Sequence, residues 1–141
     1  MDLNLTEYTR ATWFIQQQQL TGYQPASSLF CTSATYDDEN ARVPLFNGKV
    51  ISVFNYGNQN AVNGPLQNAD NTTLCARLPD SNEPAKLLVA PCFLPNLAAG
   101  DYWVIAAGPS SDNYEWAIVS GGQPDEQYAD GCTTKQTGTN G

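Results

Sequence analysis

The sequence predicts an all-β fold, an up-and-down antiparallel barrel with seven recognisable strands and the eighth strand missing. Short stretches that alternate apolar or aromatic residues with polar ones recur along the chain, as expected for strands with one buried face. Spacers rich in Asn, Gly, Pro and Asp separate these stretches, and no amphipathic helix of ordinary length is visible. Strands joined by turns at fairly regular spacing indicate a meander.

The first three strands follow from the alternation and from the turn signals between them. Gly22 and Pro25 interrupt the chain after the first strand, and Asn47-Gly48 is the strongest short turn signal in the sequence. We therefore predict strands at 12–15, about 29–37 and about 49–56.

The other four strands are predicted at 72–78, 86–92, 101–107 and 114–120. Pro91 lacks the N–H that an interior ladder needs, so we expect the fifth strand to end or bulge there. Residues 108–113 are predicted to form the turn before the last strand. From Gly121 onward no apolar pattern remains, so the chain divides into a barrel domain at 1–120 and a Gly/Thr-rich tail at 121–141.

Composition narrows the range of functions. The chain has 141 residues, which suits one domain, and its 14 acidic and 6 basic residues give a net charge of −8. The basic residues are scattered singly, which argues against a nucleic-acid partner. The sequence has no histidine, so Ser-His-Asp and Cys-His catalysis are excluded and we expect no metal site. No apolar run is long enough to predict a transmembrane segment.

The four cysteines, Cys31, Cys75, Cys92 and Cys132, predict two disulfides rather than four reduced thiols. Cys75 and Cys92 flank the turn around Asn82, and a hairpin centred there places them opposite each other on one face. That pairing leaves Cys31 with Cys132, which would tie the tail back to an early strand. Two disulfides imply an oxidising, extracytoplasmic compartment.

Five short motifs occur in order between about residues 11 and 120. They are Ala11-Thr12-Trp13-Phe14, Cys31-Thr32-Ser33-Ala34-Thr35-Tyr36, Pro84-Ala85-Lys86-Leu87-Leu88-Val89, Tyr102-Trp103-Val104-Ile105 and Asn113-Tyr114. Together they resemble the lipocalins, in particular the branch with apolipoprotein D, the bacterial lipocalins and the bilin-binding proteins. Residues 114–122 also resemble algal lipocalin-like proteins related to the violaxanthin de-epoxidases. The resemblance implies a barrel around an apolar ligand, in a secreted protein or, if the source is algal, in the thylakoid lumen.

Two departures from the lipocalin pattern concern closure of the barrel. The family's eighth strand and C-terminal helix have no counterpart after residue 120, and the arginine that stacks on the first-strand tryptophan is absent, so Trp13 lacks its usual cation partner. Without an eighth strand, the first and seventh strands have unpaired edges. Three explanations are open: a longer natural chain, a strand supplied by a partner, or closure with seven strands.

Alternation and the family pattern place ten side chains on the inner face of the barrel. They are Ala34, Tyr36, Val53, Asn55, Leu87, Val89, Tyr102, Val104, Tyr114 and Trp116. These residues either form a packed core or line a cavity for a small hydrophobic ligand, such as a carotenoid, a tetrapyrrole or a lipid, and the lipocalin resemblance favours the cavity. Asn55 is the residue expected to orient that ligand through a hydrogen bond.

We expect no enzymatic activity and no required cofactor beyond a bound pigment or lipid. A de-epoxidase-like reaction needs an acid inside the barrel, and the candidates Asp101 and Glu115 alternate with inward residues, so they are predicted to point outward. The alternative function is a non-catalytic accessory subunit of a larger complex, for example a photosynthetic pigment–protein membrane complex. Its protein partner would pair with the open barrel edge.

Overall fold

The computed structural model describes residues 1–20, 24–39, 41–67 and 73–134. One turn of helix, α1 (Leu5–Tyr8), precedes the seven strands of one antiparallel sheet. These are β1 (Trp13–Phe14), β2 (Phe30–Asp37), β3 (Val50–Asn58), β4 (Leu74–Arg77), β5 (Lys86–Pro91), β6 (Gly100–Ser110) and β7 (Asn113–Ser120). Short 3-10 helices lie at Ala26–Ser28 and Asn96–Ala98, and a separate hairpin contains β8 (Glu126–Tyr128) and β9 (Gly131–Thr133).

The seven strands of the sheet pair strictly in chain order, which confirms the all-β, up-and-down antiparallel fold. The sheet curls into a half-barrel, and among the described residues no eighth strand joins β1 to β7. β6 continues to Ser110, so the turn predicted over 108–113 shrinks to Ser111 and Asp112. The segment predicted as an unpatterned tail contains the β8–β9 hairpin.

The meander gives the half-barrel two different ends, because consecutive strands run in opposite directions. The connections β2–β3, β4–β5 and β6–β7 lie at one end, together with α1, and we call this the closed end. The connections β1–β2, β3–β4 and β5–β6 start and finish at the opposite end, which we call the mouth.

Helix α1 forms because its first turn is capped and its flanks are apolar. Asn4 is the N-cap, and its side-chain oxygen accepts a hydrogen bond from the Glu7 N–H at 3.3 Å. Leu3 and Tyr8 are both buried and have the spacing of a hydrophobic staple. That pattern, rather than strand alternation, is the sequence signal for this helix. In the described part of the chain, no helix is long and apolar enough to cross a membrane.

Helix α1 also bridges the two edge strands at the closed end. The Asn4 side-chain nitrogen donates to the Ser111 carbonyl at 2.8 Å, and the Glu7 carboxylate accepts from the Tyr114 N–H at 3.3 Å. Arg10 donates to the same carboxylate, and mainly this hydrogen bond lowers the pKa of Glu7 below its usual value. These contacts occupy the beginning of the free edge of β7.

A buried arginine holds the outer side of the sheet together. Arg77 is fully buried, and its guanidinium donates to the carbonyls of Cys75 at 3.1 Å, Ala90 at 3.4 Å, Pro91 at 3.2 Å and Leu94 at 2.6 Å. These four carbonyls satisfy both Nη atoms, as a buried guanidinium requires, whereas the Nε atom is buried with no partner among the described residues. Arg77 therefore fixes the chain where it leaves β5 for the mouth.

The predicted disulfide between Cys75 and Cys92 is confirmed, with a Cα–Cα distance of 4.8 Å. The predicted bridge between Cys31 and Cys132 is wrong, because both thiols are free and exposed. Cys132 lies in β9, and among the described strands β9 pairs only with β8, so no ladder brings it against β2. Cys132 therefore does not tie back the tail at 121–141.

Substitution of Asn4 tests how much the α1 contacts stabilise the fold. Asn4→Ala removes the cap acceptor and the donor to Ser111, so we expect the unfolding free energy to fall by about 1–2 kcal/mol. Asn4→Asp keeps the acceptor and loses only the donor, so its loss is expected to be smaller. Chemical denaturation measures both variants, and equal losses would show that the cap adds nothing.

Candidate functional site

The inner face of the half-barrel brings together nine of the ten predicted lining residues. Ala34, Val53, Leu87, Val104 and Tyr114 are buried, and Tyr36, Asn55, Val89 and Tyr102 are half-buried. Leu87 and Val104 are each only 2% exposed. A water-sized sphere scarcely touches these two side chains, so the closed half of the interior is a packed core.

Three tyrosines fill this closed half. The Tyr102 hydroxyl is hydrogen-bonded to the Tyr8 hydroxyl at 2.8 Å and to the Tyr36 hydroxyl at 3.0 Å. We call these residues the tyrosine triad, and they join α1, β2 and β6. Burial removes the phenols from water, and this raises the pKa of all three far above its usual value of about 10.

Trp13 belongs to the same aromatic group. Its ring stacks on Tyr8 with the ring centroids 5.1 Å apart, and its indole N–H donates to the Tyr8 carbonyl at 2.7 Å. A ring from α1 therefore covers Trp13, where the lipocalin pattern has an arginine. Aromatic stacking of this kind stabilises a pair of rings beyond the area it buries.

The mouth half of the inner face is less completely filled. Asn55, Leu74 and Val89 are half-buried there. Thr32 lies within the β-bulge of β2 between Phe30 and Ser33, near the mouth end of that strand, and its hydroxyl is buried with no hydrogen-bond partner among the described residues. Burying an unpartnered hydroxyl costs about 1–3 kcal/mol, so a polar atom that enters this half and accepts from Thr32 would recover that energy. No local sequence pattern predicts this unpartnered hydroxyl, because its isolation depends on tertiary packing.

Trp116 is the exception among the predicted lining residues, and its inward position is corrected. Trp116 is 49% exposed on the outer face, with its ring so close to Gly108 that a Cβ there would lie 2.7 Å from it. The cause is a β-bulge: β7 advances two residues, from Tyr114 to Trp116, while β6 advances one. The extra residue, Glu115, reverses the alternation, and Ala117 takes the inner position.

The charged groups of the candidate site lie outside the interior. Asp101 and Glu115, the two carboxylates considered as acids, are both exposed. The described residues contain no cluster of three or more His, Cys, Asp or Glu side chains arranged to hold a metal ion. The inner face instead presents phenols, a hydroxyl, an amide and apolar side chains, a combination that suits binding of an apolar molecule.

Comparison with known proteins identifies no relative. No protein-family model, no curated protein and no solved structure matches this chain. The lipocalin resemblance therefore stays a prediction from sequence motifs, whereas the antiparallel half-barrel is a property of the structure itself.

Removal of the central hydroxyl tests the tyrosine triad. Tyr102→Phe deprives both neighbouring phenols of a hydrogen bond, so we expect a loss of about 1–3 kcal/mol in unfolding free energy. Tyr36→Phe leaves one hydrogen bond of the triad intact, so its loss is expected to be smaller. Tyr56→Phe, at an outer-face position that is 37% exposed, serves as the matched control. An unfolding free energy of Tyr102→Phe equal to that of the control would show that the triad does not stabilise the fold.

The raised pKa values of the triad predict unfolding at alkaline pH. The unfolded chain ionises its tyrosines near pH 10, whereas the folded triad keeps its protons. The triad's contribution is therefore complete below about pH 10, and the unfolding free energy falls as the pH rises above that value. We expect part of the tyrosinate absorbance to develop only together with loss of the near-ultraviolet circular dichroism. Complete ionisation before any loss of that signal would contradict the prediction.

Proposed function

We propose that the half-barrel binds one small apolar molecule in the mouth half of its inner face. The observation that carries this proposal is the difference between the two halves of the interior. The closed half is occupied by the hydrogen-bonded tyrosine triad and by buried Leu87 and Val104, whereas Leu74 and Val89 in the mouth half are half-buried apolar side chains with no polar group of their own. An apolar cup that is sealed at one end and accessible at the other suits a ligand that enters through the mouth.

The ligand's chemistry follows from the groups in that half. Leu74 and Val89 offer apolar contact, and Thr32 offers a buried hydroxyl that needs an acceptor. Asn55, which pairs with Ala34 across β2 and β3, adds an amide. A carotenoid, a tetrapyrrole or a lipid combines a long apolar body with a polar atom, as these groups require. The proposal includes no catalytic step and no required cofactor.

Burial of apolar surface supplies enough free energy for such binding. A ligand that buries about 400 Å² gains roughly 10 kcal/mol before association costs, at about 25 cal/mol per Å². Lost translational and rotational freedom removes several kcal/mol of this gain. A net gain of about 6 kcal/mol corresponds to a dissociation constant of tens of micromolar.

Organic extraction of protein isolated from its native source tests the proposal directly. Absorbance and mass spectrometry of the extract are expected to reveal a stoichiometric pigment or lipid, whose structure identifies the ligand class. A clean extract, together with failure of the purified chain to bind any apolar probe, would contradict the proposal.

Titration of the purified chain with retinol, a conjugated apolar alcohol, locates the site by fluorescence. Val89→Trp fills the mouth half and is expected to abolish binding. Thr32→Val removes the buried hydroxyl at almost constant volume and is expected to weaken binding about tenfold, the loss of one buried hydrogen bond. Thr35→Val is the control, because Thr35 is exposed on the same strand and its hydroxyl bonds only to Thr12 in the described structure. Equal effects of Thr32→Val and Thr35→Val would place the ligand elsewhere.

The second candidate function is that of an accessory subunit, and the free edge of β7 favours it. In the described part of the chain β7 pairs only with β6, and Trp116, Ile118 and Val119 are 49%, 52% and 41% exposed along it. An extended segment of a partner would satisfy this edge by strand addition. Purification of the chain as part of a large membrane complex, with no extractable ligand, would favour this function over ligand binding.

A further inference from the structure

Large apolar side chains stand exposed on all three connections at the mouth. Their exposed fractions are 64% for Leu20, 62% for Val62, 52% for Leu66, 72% for Phe93 and 99% for Leu97. None of the five belongs to a strand, so this exposure is separate from that of the sheet's outer face. We call these five residues the mouth rim, because all of them lie on the connections at the mouth.

The connections at the mouth contain fewer charged residues than the connections at the opposite end. Residues 15–29 and 92–99 contain no Asp, Glu, Lys or Arg, and residues 59–73 contain only Asp70. The closed-end connections carry seven charged residues: Asp38, Glu39, Arg42, Lys49, Asp80, Glu83 and Asp112. Entry of the tips of these three connections into a bilayer therefore desolvates few charges, whereas Asp101 at the start of β6 and the segment after β7 also carry charge at this end.

In the described residues, the mouth connections are fixed at two points. The Asn60 N–H donates to the Ser27 carbonyl at 2.7 Å, which joins the β3–β4 connection to the β1–β2 connection. The β5–β6 connection is fixed by Arg77, whose guanidinium donates to the Leu94 carbonyl at 2.6 Å, and by the disulfide at Cys92. Side chains on ordered connections lose less conformational entropy when a partner covers them.

We propose that the mouth rim docks on the surface of a lipid bilayer with electrically neutral headgroups. In this arrangement the Leu, Val and Phe side chains enter the boundary between headgroups and acyl chains, and the charged closed end stays in water. The net charge of −8 disfavours an anionic surface. Asp125, Glu126 and Asp130, which follow β7 at the mouth end, add to that repulsion.

Docking in this orientation would set the open half of the interior against the bilayer. An apolar ligand would then pass between membrane and protein without crossing water. The docking proposal does not depend on such a ligand, because vesicle binding is measured on the chain alone. The retinol titration is performed without vesicles, so either proposal can fail while the other stands.

Flotation of the full chain with vesicles of pure phosphatidylcholine tests the docking proposal. We expect the chain to float with these vesicles, and we expect anionic phosphatidylglycerol in the mixture to reduce its binding. Leu97→Asn and Phe93→Ser are each expected to lower the partition coefficient by about tenfold, because each removes one inserted side chain. Circular dichroism and thermal unfolding check that these exposed substitutions leave the fold intact.

Leu45→Asn is the matched control. Leu45 is as exposed as Leu97, at 102%, but lies between Arg42 and Lys49 in the closed-end connection β2–β3. Loss of flotation in Leu97→Asn and Phe93→Ser, with flotation unchanged in Leu45→Asn, supports the proposal. No flotation of the unaltered chain, stronger binding to anionic vesicles or equal loss in Leu45→Asn would overturn it. A dimer in solution that Leu97→Asn dissociates, without vesicle binding, would overturn it as well.

Discussion

Tyr8 seals the interior of a sheet that, in the described part of the chain, is not closed by an eighth strand. Its hydroxyl joins Tyr102, its ring covers Trp13, and its helix reaches the edge of β7 through Glu7. A helix of four residues has no stability of its own, so α1 exists only because these contacts hold it. The buried phenols polarise one another, and the connected set is therefore worth more than its separate hydrogen bonds.

Two β-bulges decide which side chains share the interior with Tyr8. Ile105 on β6 and Glu115 on β7 are each an extra residue opposite a single partner, so the alternation reverses on both strands. As a result Ala107 and Ala117 face each other inside the half-barrel, and Trp116 lies outside. The alanines belong to the same cluster as Tyr8. The Tyr8 side chain from α1 therefore fills interior space that a tryptophan on β7 would otherwise occupy.

The sequence pattern along the chain was sufficient to predict the features that depend on residues close in sequence. Alternation and turn signals predicted the seven strands and the disulfide between Cys75 and Cys92, whose cysteines flank one hairpin. The ten inner positions were assigned with the help of the lipocalin pattern, and nine of them lie on the inner face. The position of Trp116 was missed because a bulge arises from packing between strands. The bridge between Cys31 and Cys132 was inferred by elimination, and no strand pairing brings those two residues together.

In a meander, the residues at one end of the molecule belong to different connections from the residues at the other end. Connections alternate between the ends, so the composition of every second connection sets the character of one end. The closed end is held by the tyrosine triad inside the sheet, whereas Arg77 and the disulfide fix the β5–β6 connection from its outer side. The structure of the mouth therefore does not rest on the contacts that seal the core. Substitutions in the mouth rim can therefore change the surface that the mouth contacts without removing contacts that stabilise the core.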